Sequence, residues 1–356
     1  MANALSSDSP IVIGTRGSAL ALAQANRVLR DARALFPKKK FELRIIKTTG
    51  DKLQTASMSQ PDESLPRGLF TKELETALFE KEIDVAVHSL KDLPTEVPEG
   101  LELGAVGARA DVRDVLLYRT AAWASFKVPT TEEWVPGGGT RHIEPVARGL
   151  ARLPQGATVA TSSARRAAQM RVWRPDLNLI EIRGNVGTRL RKLRDTPTLD
   201  ATILALAGLG RLHLDISPRG ELRVDPKLPS AARATVEPPP EGIYGTLLEP
   251  EEMLPAVGQG AVGLEIRSGD ERLMEICRAL NHPNTWHATV AERAFLRGLG
   301  GGCQSAVAAW ARVVGHQLHL RAGVFSGPTP WVSDFQRVVR ESAALGAEAA
   351  AKAPTT

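Results

Sequence analysis

The stretch Ile11-Val-Ile-Gly-Thr-Arg-Gly-Ser18 decides the fold class, because it joins a short apolar run to a polar turn that can open a helix. The apolar run predicts a buried strand, and Ser18 is a suitable cap for a helix whose apolar residues continue to Leu29. The same order recurs at Thr158-Val-Ala-Thr161, which a helix opening at Ser162/Ser163 follows. Strands that alternate with helices predict an α/β fold with a largely parallel sheet.

The alternation continues over the first two thirds of the chain. Strands are predicted at 41–47, 84–88, 178–182 and 200–206, and helices at 71–81 and 186–194. After Asn281-His-Pro283 the pattern changes to a helix over 286–299 followed by short strands. This change predicts a separate, smaller C-terminal α+β domain.

The domain organisation follows from these patterns. We expect lobe 1 over 1–112, with 256–280 returning to it, lobe 2 over 113–255, and a C-terminal domain over 281–356. Three aperiodic stretches are predicted to be loops. Residues 51–67 are interpreted as a mobile lid, and 121–150 and 218–245 as insertions in lobe 2.

The composition of the 356 residues is that of a globular protein, with 43% hydrophobic and 24% charged residues. Aromatic residues make up only 4%, which leaves little for base stacking, so we expect no nucleic-acid partner. No apolar run approaches the roughly 18–20 residues of a membrane span, and residues 1–10 lack the features of a targeting sequence. The two cysteines form no disulfide framework. We therefore expect a cytoplasmic protein. A monomer is expected as well, although no feature of the composition indicates the oligomeric state.

Positive charge is concentrated in one segment. Residues 161–194 contain nine basic and two acidic residues, a local net charge of +7, whereas the whole chain has +5. Guanidinium groups bind carboxylates and phosphates in bidentate fashion. The segment therefore predicts a site for an anionic ligand.

Candidate site residues follow several of the predicted strands. His88-Ser-Leu-Lys-Asp-Leu-Pro94 places Lys91 and Asp92 at a strand end, where open α/β sheets hold their ligands. Asp92 is interpreted as a group for proton transfer, and a solvated turn is the alternative. Thr161-Ser-Ser-Ala-Arg-Arg166, Arg183-Gly-Asn-Val-Gly-Thr-Arg189 and Thr15-Arg-Gly-Ser18 are predicted anion sites at helix starts. For Thr161–Arg166 the alternative is a helix cap followed by surface arginines.

The two cysteines have different surroundings. Cys303 lies in Leu299-Gly-Gly-Gly-Cys-Gln304, where glycines let a bulky group approach the thiol; a turn that contains a small apolar residue is the alternative. Cys277 shares the apolar phase of Leu273 and Ile276 and is predicted to be a core residue. His88 is interpreted as a structural hydrogen-bonding residue. No histidine has defensible ligand spacing, and we expect no metal.

Taken together, these stretches resemble the porphobilinogen deaminase (hydroxymethylbilane synthase) family over nearly the whole chain. The motifs that carry the resemblance are Thr15–Ser18 with Leu20–Gln24, Gly68–Leu74, His88–Pro94, Arg183–Leu190, Pro255–Ala261 and Gly301–Cys303. The resemblance implies two lobes similar to periplasmic binding proteins that flank a cleft, and a C-terminal domain that carries the cysteine. It also implies a transferase that joins four porphobilinogen molecules head to tail and releases ammonia at each addition.

The resemblance assigns roles to particular residues. It implies a dipyrromethane cofactor held by a thioether to Cys303, with Asp92 as the catalytic carboxylate. Cofactor-side groups would be Ser89, Lys91, Asp92, Thr161, Ser163, Arg165, Arg166, Arg183 and Arg189. Substrate carboxylates would meet Arg16, Ser18, Arg183 and Arg189. The local +7 charge suits the many carboxylates of a growing pyrrole chain, and a carboxylate can stabilise the positive charge that the departing amine leaves.

Three residues depart from the family pattern, and one different function stays open. Ala160 and Ala164 stand where Gly and Leu are more usual, and Ala306 replaces a usual proline. The alternative function is a non-catalytic anion-binding protein of the same two-lobed architecture. It would need the arginines but neither Asp92 nor a modified Cys303.

Overall fold

The computed structural model describes residues 9–48, 71–119, 149–301, 305–327 and 329–354. Cys303, the predicted lid at 51–67 and all but the last two residues of the predicted insertion at 121–150 lie outside these ranges. Within them, no helix is long and apolar enough to cross a membrane.

The described ranges alternate strands and helices as the sequence predicts. The strands are β1 (Ile11–Thr15), β2 (Phe41–Ile45), β3 (Val85–Ser89), β4 (Leu101–Val106), β5 (Asp114–Tyr118), β6 (Thr158–Ala160), β7 (Asn178–Ile180), β8 (Ala201–Ala205), β9 (Leu214–Ile216), β10 (Leu222–Val224), β11 (Tyr244–Leu248), β12 (Val262–Arg267), β13 (Val307–Val314), β14 (Gln317–Val324) and β15 (Trp331–Val338). The helices are α1 (Ala19–Leu35), α2 (Lys72–Phe79), α3 (Ala164–Trp173), α4 (Val186–Asp195), α5 (Leu206–Arg211), α6 (Ser230–Arg233), α7 (Glu271–Leu280), α8 (Pro283–Gly298) and α9 (Ser342–Lys352).

One compact unit comprises residues 1–109 and 261–286. Its five-stranded sheet has the order β2-β1-β3-β12-β4. Helices α1 and α7 bury Leu29 and Ile276 against Val85 and Val87 of β3. Helix α2 packs with Ala86 of the same strand in a separate cluster. Since side chains alternate along a strand, the two clusters lie on opposite faces of the sheet.

A second unit comprises residues 110–260 and 287–356. It contains a five-stranded sheet of order β11-β5-β8-β6-β7 and a short β9-β10 hairpin. Helix α3 contributes Met170 and Trp173 to one core cluster of this sheet. Helix α4 contributes Leu190 and Leu193 to another. The chain passes from this unit back to the first at Gly260/Ala261, inside the motif Pro255–Ala261.

The C-terminal part of the second unit forms a three-stranded antiparallel sheet of order β13-β14-β15. Phe295 of α8 and Leu345 of α9 pack with Leu318 and Leu320 of β14 in one buried cluster. The predicted fold class, α/β with two lobes and a smaller C-terminal α+β domain, is confirmed. The domain boundaries at 112, 255 and 280 stay predictions.

Two expectations about the elements were wrong. Each five-stranded sheet is mixed rather than largely parallel, because β12 runs antiparallel to β3 and β4, and β5 runs antiparallel to β8 and β11. The stretch 218–245 is not wholly loop, since β10 pairs with β9 there and β11 begins at Tyr244. These pairings join segments far apart in the chain, which local periodicity does not reveal.

Candidate functional site

The turn between β1 and α1 orients polar groups at the carboxyl end of a strand. The Ser18 hydroxyl caps α1 by accepting a hydrogen bond from the backbone N–H of Ala21 at 3.3 Å. The buried Thr15 hydroxyl donates to the Ala21 carbonyl oxygen at 3.2 Å, which fixes the other end of the turn. Arg16, which is half-buried, lies between Thr15 and Ser18 in this turn.

The neighbouring strand β3 ends in a turn that carries three of the predicted cofactor-side residues, Ser89, Lys91 and Asp92. Ser89 accepts a hydrogen bond from Nε2 of Gln24 on α1 at 2.8 Å. Leu90 to Asp92 form one turn of 3₁₀ helix, in which Leu90 is buried and its N–H donates to the Ala261 carbonyl oxygen at 3.1 Å. Because Leu90 anchors the turn, the Asp92 carboxylate projects from it as an exposed group.

These two turns meet in one pocket of the first unit. The predicted residues Arg16, Ser18, Ser89 and Asp92 all line it, together with Gln24, Thr71 and His88. Lys91, next to Asp92, is half-buried and is not among the lining residues. The pocket thus combines a guanidinium, several hydroxyls and a carboxylate. These are suitable groups for a ligand that has carboxylates and an N–H.

In the second unit, the turn between β6 and α3 uses its hydroxyls internally. Ser163 caps α3 by accepting from the Arg166 N–H at 3.4 Å. The buried Thr161 hydroxyl accepts from the Ser163 N–H at 3.2 Å. Ser162 is bonded to both the N–H and the carbonyl oxygen of Ile182, which ties this turn to the one that follows β7.

Arg165 and Arg166 are buried and ion-paired with Asp114, whose side chain is fully buried. Nη2 of Arg165 donates to Asp114 Oδ2 at 2.7 Å, and Nη2 of Arg166 donates to Oδ1 at 2.8 Å. Gln259 Nε2 adds a further bond to Oδ1 at 2.9 Å. Burial alone would raise the pKa of the Asp114 carboxyl, but the two guanidiniums outweigh it and hold that pKa well below its usual range. Asp114 thus compensates part of the positive charge of these two arginines, and their role in an anion site stays a prediction.

The turn between β7 and α4 is different, because one of its arginines is exposed. Arg183 is 62% exposed, and its guanidinium lies 3.5 Å from Glu181. Nε of Arg189 donates to the Gly184 carbonyl oxygen at 2.8 Å. Gly184 has a φ of +115° and Asn185 caps α4, so this glycine and this asparagine shape the turn.

The family models match almost the entire chain. The model described as "Porphobilinogen deaminase, dipyromethane cofactor binding domain" matches residues 11–275, and the model of the porphobilinogen deaminase C-terminal domain matches residues 286–353. The chain belongs to the porphobilinogen deaminase family. The resemblance given by the sequence motifs is confirmed.

Individual porphobilinogen deaminases agree with this assignment over most of their length. That of Syntrophomonas wolfei is 41% identical over 314 residues, which cover 88% of this chain and 84% of the relative. Those of Desulforudis audaxviator and Thermus thermophilus are each 43% identical. They cover 89% and 85% of this chain, and 84% and 80% of their own length.

The donor groups of the first unit fit the cofactor of this family. A dipyrromethane has pyrrole N–H groups and carboxylates, and the pocket offers the Asp92 carboxylate to the former and Arg16, Ser18 and Ser89 to the latter. Among the described residues, no group of three or more His, Cys, Asp or Glu is arranged to hold a metal ion. The guanidinium and the hydroxyls that line the pocket suit an organic anion.

Sequence reasoning missed two residues that matter to these turns. Gln24 holds Ser89, and it occupies the buried face of α1, where a polar side chain is itself a signal. Asp114 is the first residue of β5. No local sequence pattern marks it as part of the site, because its partners lie more than fifty residues away in the chain. Cys277 is buried among apolar residues of the first unit, as predicted.

Proposed function

We propose that this chain is a hydroxymethylbilane synthase that condenses four porphobilinogen molecules head to tail and releases one ammonia at each addition. Family membership over residues 11–275 and 286–353 supports the activity. The observation that carries the site assignment is the convergence of Arg16, Ser18, Ser89 and Asp92 on one pocket.

We infer that Cys303 is the attachment point for the dipyrromethane, since burial raises the pKa of the other thiol, Cys277, to about 12 and removes it from nucleophilic chemistry. When bound, the cofactor supplies the pyrrole carbon to which the first substrate is joined. The residues proposed on its side are Ser89, Lys91, Asp92, Thr161, Ser163, Arg165, Arg166, Arg183 and Arg189.

The proposed role of Asp92 is electrostatic and acid–base. Its exposed carboxylate can accept a pyrrole N–H, stabilise the positive charge that develops as the amine of the substrate leaves, and move a proton to that amine. Arg16 and Ser18 hold substrate carboxylates, so that the leaving amine is oriented in the same pocket. Arg183 and Arg189 are proposed to meet further carboxylates, and the exposure of Arg183 supports this.

For Arg165 and Arg166 we propose an indirect contribution in addition. Their ion pair with Asp114 fixes the first turn of α3, which directly follows Thr161–Ser163 in the chain. Any carboxylate that they bind must compete with Asp114 or share them with it. We further propose that the enzyme acts in the cytoplasm without nucleic acid, which its two cysteines and few aromatic residues support, and that it is a monomer. Light scattering on the purified enzyme measures its molar mass and so tests whether it is a monomer.

Intact-mass spectrometry together with an assay for hydroxymethylbilane tests the proposal. The wild-type protein should be heavier than its sequence by one dipyrromethane and active. Cys303→Ser should have the sequence mass and be inactive, whereas Cys277→Ala, the matched control, should keep the added mass. Active wild-type protein with an unmodified Cys303 would contradict the attachment. Inactive, unmodified wild-type protein would favour the non-catalytic anion-binding protein.

A further inference from the structure

One side chain that has no part in the mechanism above ties together two turns of the second unit that carry predicted site residues. The first turn joins β6 to α3 and contains Thr161–Ser163, and the second joins β7 to α4 and contains Arg183. The Ser162 hydroxyl donates to the carbonyl oxygen of Ile182 at 2.8 Å and accepts from the N–H of the same residue at 3.1 Å. A single hydroxyl thus holds both polar backbone groups of the residue directly before Arg183.

The register of the two strands explains why a side chain is needed at this point. Strands β6 and β7 run parallel with Ala160 opposite Ile180, and the Thr161 N–H donates to the Ile180 carbonyl oxygen at 2.8 Å. The next bond of a regular parallel ladder would join the Ile182 N–H to the Thr161 carbonyl oxygen. Ile182 donates instead to the Ser162 hydroxyl, beyond the last residue of each strand. Ser162 therefore connects the two chains where the ladder stops, at the strand ends where open α/β sheets bind ligands.

The second turn is also anchored from its other side. The Ile182 side chain is buried in a core cluster with Leu190 and Leu193 of α4. Nζ of Lys192 donates to the Arg183 carbonyl oxygen at 3.1 Å. The backbone on both sides of the Arg183 Cα is therefore held, whereas the guanidinium is 62% exposed and accessible to a ligand.

A held backbone matters for an exposed arginine that binds a carboxylate. The two parallel hydrogen bonds of a guanidinium–carboxylate pair require a narrow geometry. Ordering a long side chain already costs binding free energy, and movement of its backbone adds to that cost. Loss of the Ser162 hydroxyl would leave the N–H and the carbonyl oxygen of buried Ile182 without this partner, so the turn would shift or admit water. The position of Arg183 would then be less well defined.

We propose that Ser162 is a positioning residue for substrate binding. Through Ile182 it fixes Arg183 at the spacing at which the two turns engage carboxylates of one pyrrole chain. This assignment rests on the proposed function and deepens it. Ser162 acts through Arg183 rather than by its own contact with the ligand, since Ile182 already takes the single O–H donor of Ser162.

A double-mutant cycle in holoenzyme tests this, with the cofactor content of every variant verified by intact mass. The variants are Ser162→Ala, Arg183→Leu and the double substitution, and the readouts are KM and kcat with porphobilinogen. The matched control is Ser217→Ala at the β9-β10 hairpin of the same unit, where the serine hydroxyl likewise bonds to two backbone groups. Ser162→Thr is the conservative variant, because it keeps the hydroxyl at an exposed position.

Ser162→Ala should raise the KM roughly 3–10-fold, less than the roughly 10–100-fold expected when a hydrogen bond to a charged group is lost completely. The kcat should stay within about twofold, since substrate binding and not the chemical step is weakened. In the Arg183→Leu background the same substitution should change the KM less than about twofold, because the residue through which Ser162 acts is gone. Ser162→Thr and Ser217→Ala should keep the wild-type KM.

Two kinetic outcomes would overturn the proposal. One is an unchanged KM in Ser162→Ala. The other is an additive effect of Ser162→Ala and Arg183→Leu, which indicates a direct contact of Ser162 with the ligand. If Ser162→Ala is not obtained with cofactor, Ser162→Cys, whose thiol is only a weak hydrogen-bond donor, decides by the same cycle.

Hydrogen exchange provides a readout that does not depend on turnover. The amide of Ile182 should exchange faster in Ser162→Ala than in the wild type, and at the wild-type rate in Ser217→Ala. Equal exchange rates in all three proteins would show that the hydroxyl does not hold this turn. An inactive wild-type enzyme contradicts the proposed function instead, so the two failures are distinguishable.

Discussion

Nη2 of Arg165 lies 2.7 Å from Oδ2 of Asp114, and both side chains are buried in the second unit. Arg166 joins the same carboxylate through Nε at 3.2 Å and Nη2 at 2.8 Å. The position of the two arginines at a helix start predicts a site for an external anion, but they already have an internal one in Asp114. The turn between β6 and α3 therefore has one of its two guanidinium charges compensated by Asp114 before any ligand arrives.

Asp114→Asn should destabilise the protein by about 3–5 kcal/mol, because it leaves two buried guanidiniums without their carboxylate. Denaturant unfolding measures this change. The matched control is Asp215→Asn, at an ion pair with Arg223 whose side chains are about 40% exposed; it should change the free energy of unfolding by less than about 1 kcal/mol. Equal effects of the two substitutions would show that the Asp114 pair contributes no more than a surface pair.

The pH dependence of this difference follows from the lowered pKa of Asp114 in the folded protein. A carboxyl whose folded pKa is depressed stabilises the fold fully above its unfolded pKa, about 3.9, and loses that contribution as the pH falls through the folded value. The stability difference between wild type and Asp114→Asn should therefore be constant between about pH 5 and 8 and shrink below about pH 4. If the stability difference already declined at pH 6, the titration of a group other than Asp114 would have to cause it.

Arg166→Leu and Arg183→Leu should fail in different ways. Arg166→Leu breaks three hydrogen bonds in a buried site. It should therefore lower the free energy of unfolding by about 3–5 kcal/mol. It should also reduce the fraction of protein that carries the cofactor. Arg183→Leu removes an exposed side chain and should leave the melting temperature unchanged while raising the KM for porphobilinogen. Melting curves, intact mass and kinetics on both variants check this. A large loss of stability in Arg183→Leu would contradict it.

The sequence predicted local features well and distant ones poorly. The sequence predicts Ser18 as a helix cap and a helix start at Ser162/Ser163, because the N-cap hydrogen bond depends on residues within one helical turn. The insertion of β12 between β3 and β4 depends on a return of the chain after about 150 residues, and no periodicity encodes it. For the same reason His88 was recognised as a hydrogen-bonding residue while its partner Glu265 was not. The site residues could be located, but not the charges that face them from other strands.

Thiol titration should separate the two cysteines. Because burial, with a smaller contribution from Glu102, raises the pKa of Cys277 to about 12, its thiolate fraction at pH 8 is on the order of 10⁻⁴. Native holoenzyme should therefore react with a disulfide reagent at neither cysteine, and denatured holoenzyme at one thiol per chain. The control is Cys277→Ala holoenzyme, which should show no reactive thiol after denaturation. Two reactive thiols in denatured, active wild-type protein would contradict a thioether at Cys303.

Asp92→Asn should preserve the fold and abolish most of the turnover. The residue is exposed on a turn that the buried Leu90 anchors, so the substitution removes charge and proton transfer without disturbing a core. Loss of a general acid–base group lowers turnover by roughly 10²–10⁴-fold. Substrate should still bind through Arg16 and Ser18, so partly elongated enzyme complexes should accumulate.

Rapid-quench kinetics with mass spectrometry on Asp92→Asn measures both the rate and the accumulated complexes. Glu96→Gln, an exposed carboxylate four residues further along the chain, is the matched control and should release hydroxymethylbilane at the wild-type rate. Near-normal product release by Asp92→Asn would remove this carboxylate from the mechanism. Slow release together with a raised KM for porphobilinogen would place Asp92 in substrate binding as well, because a purely chemical role leaves the binding of substrate intact.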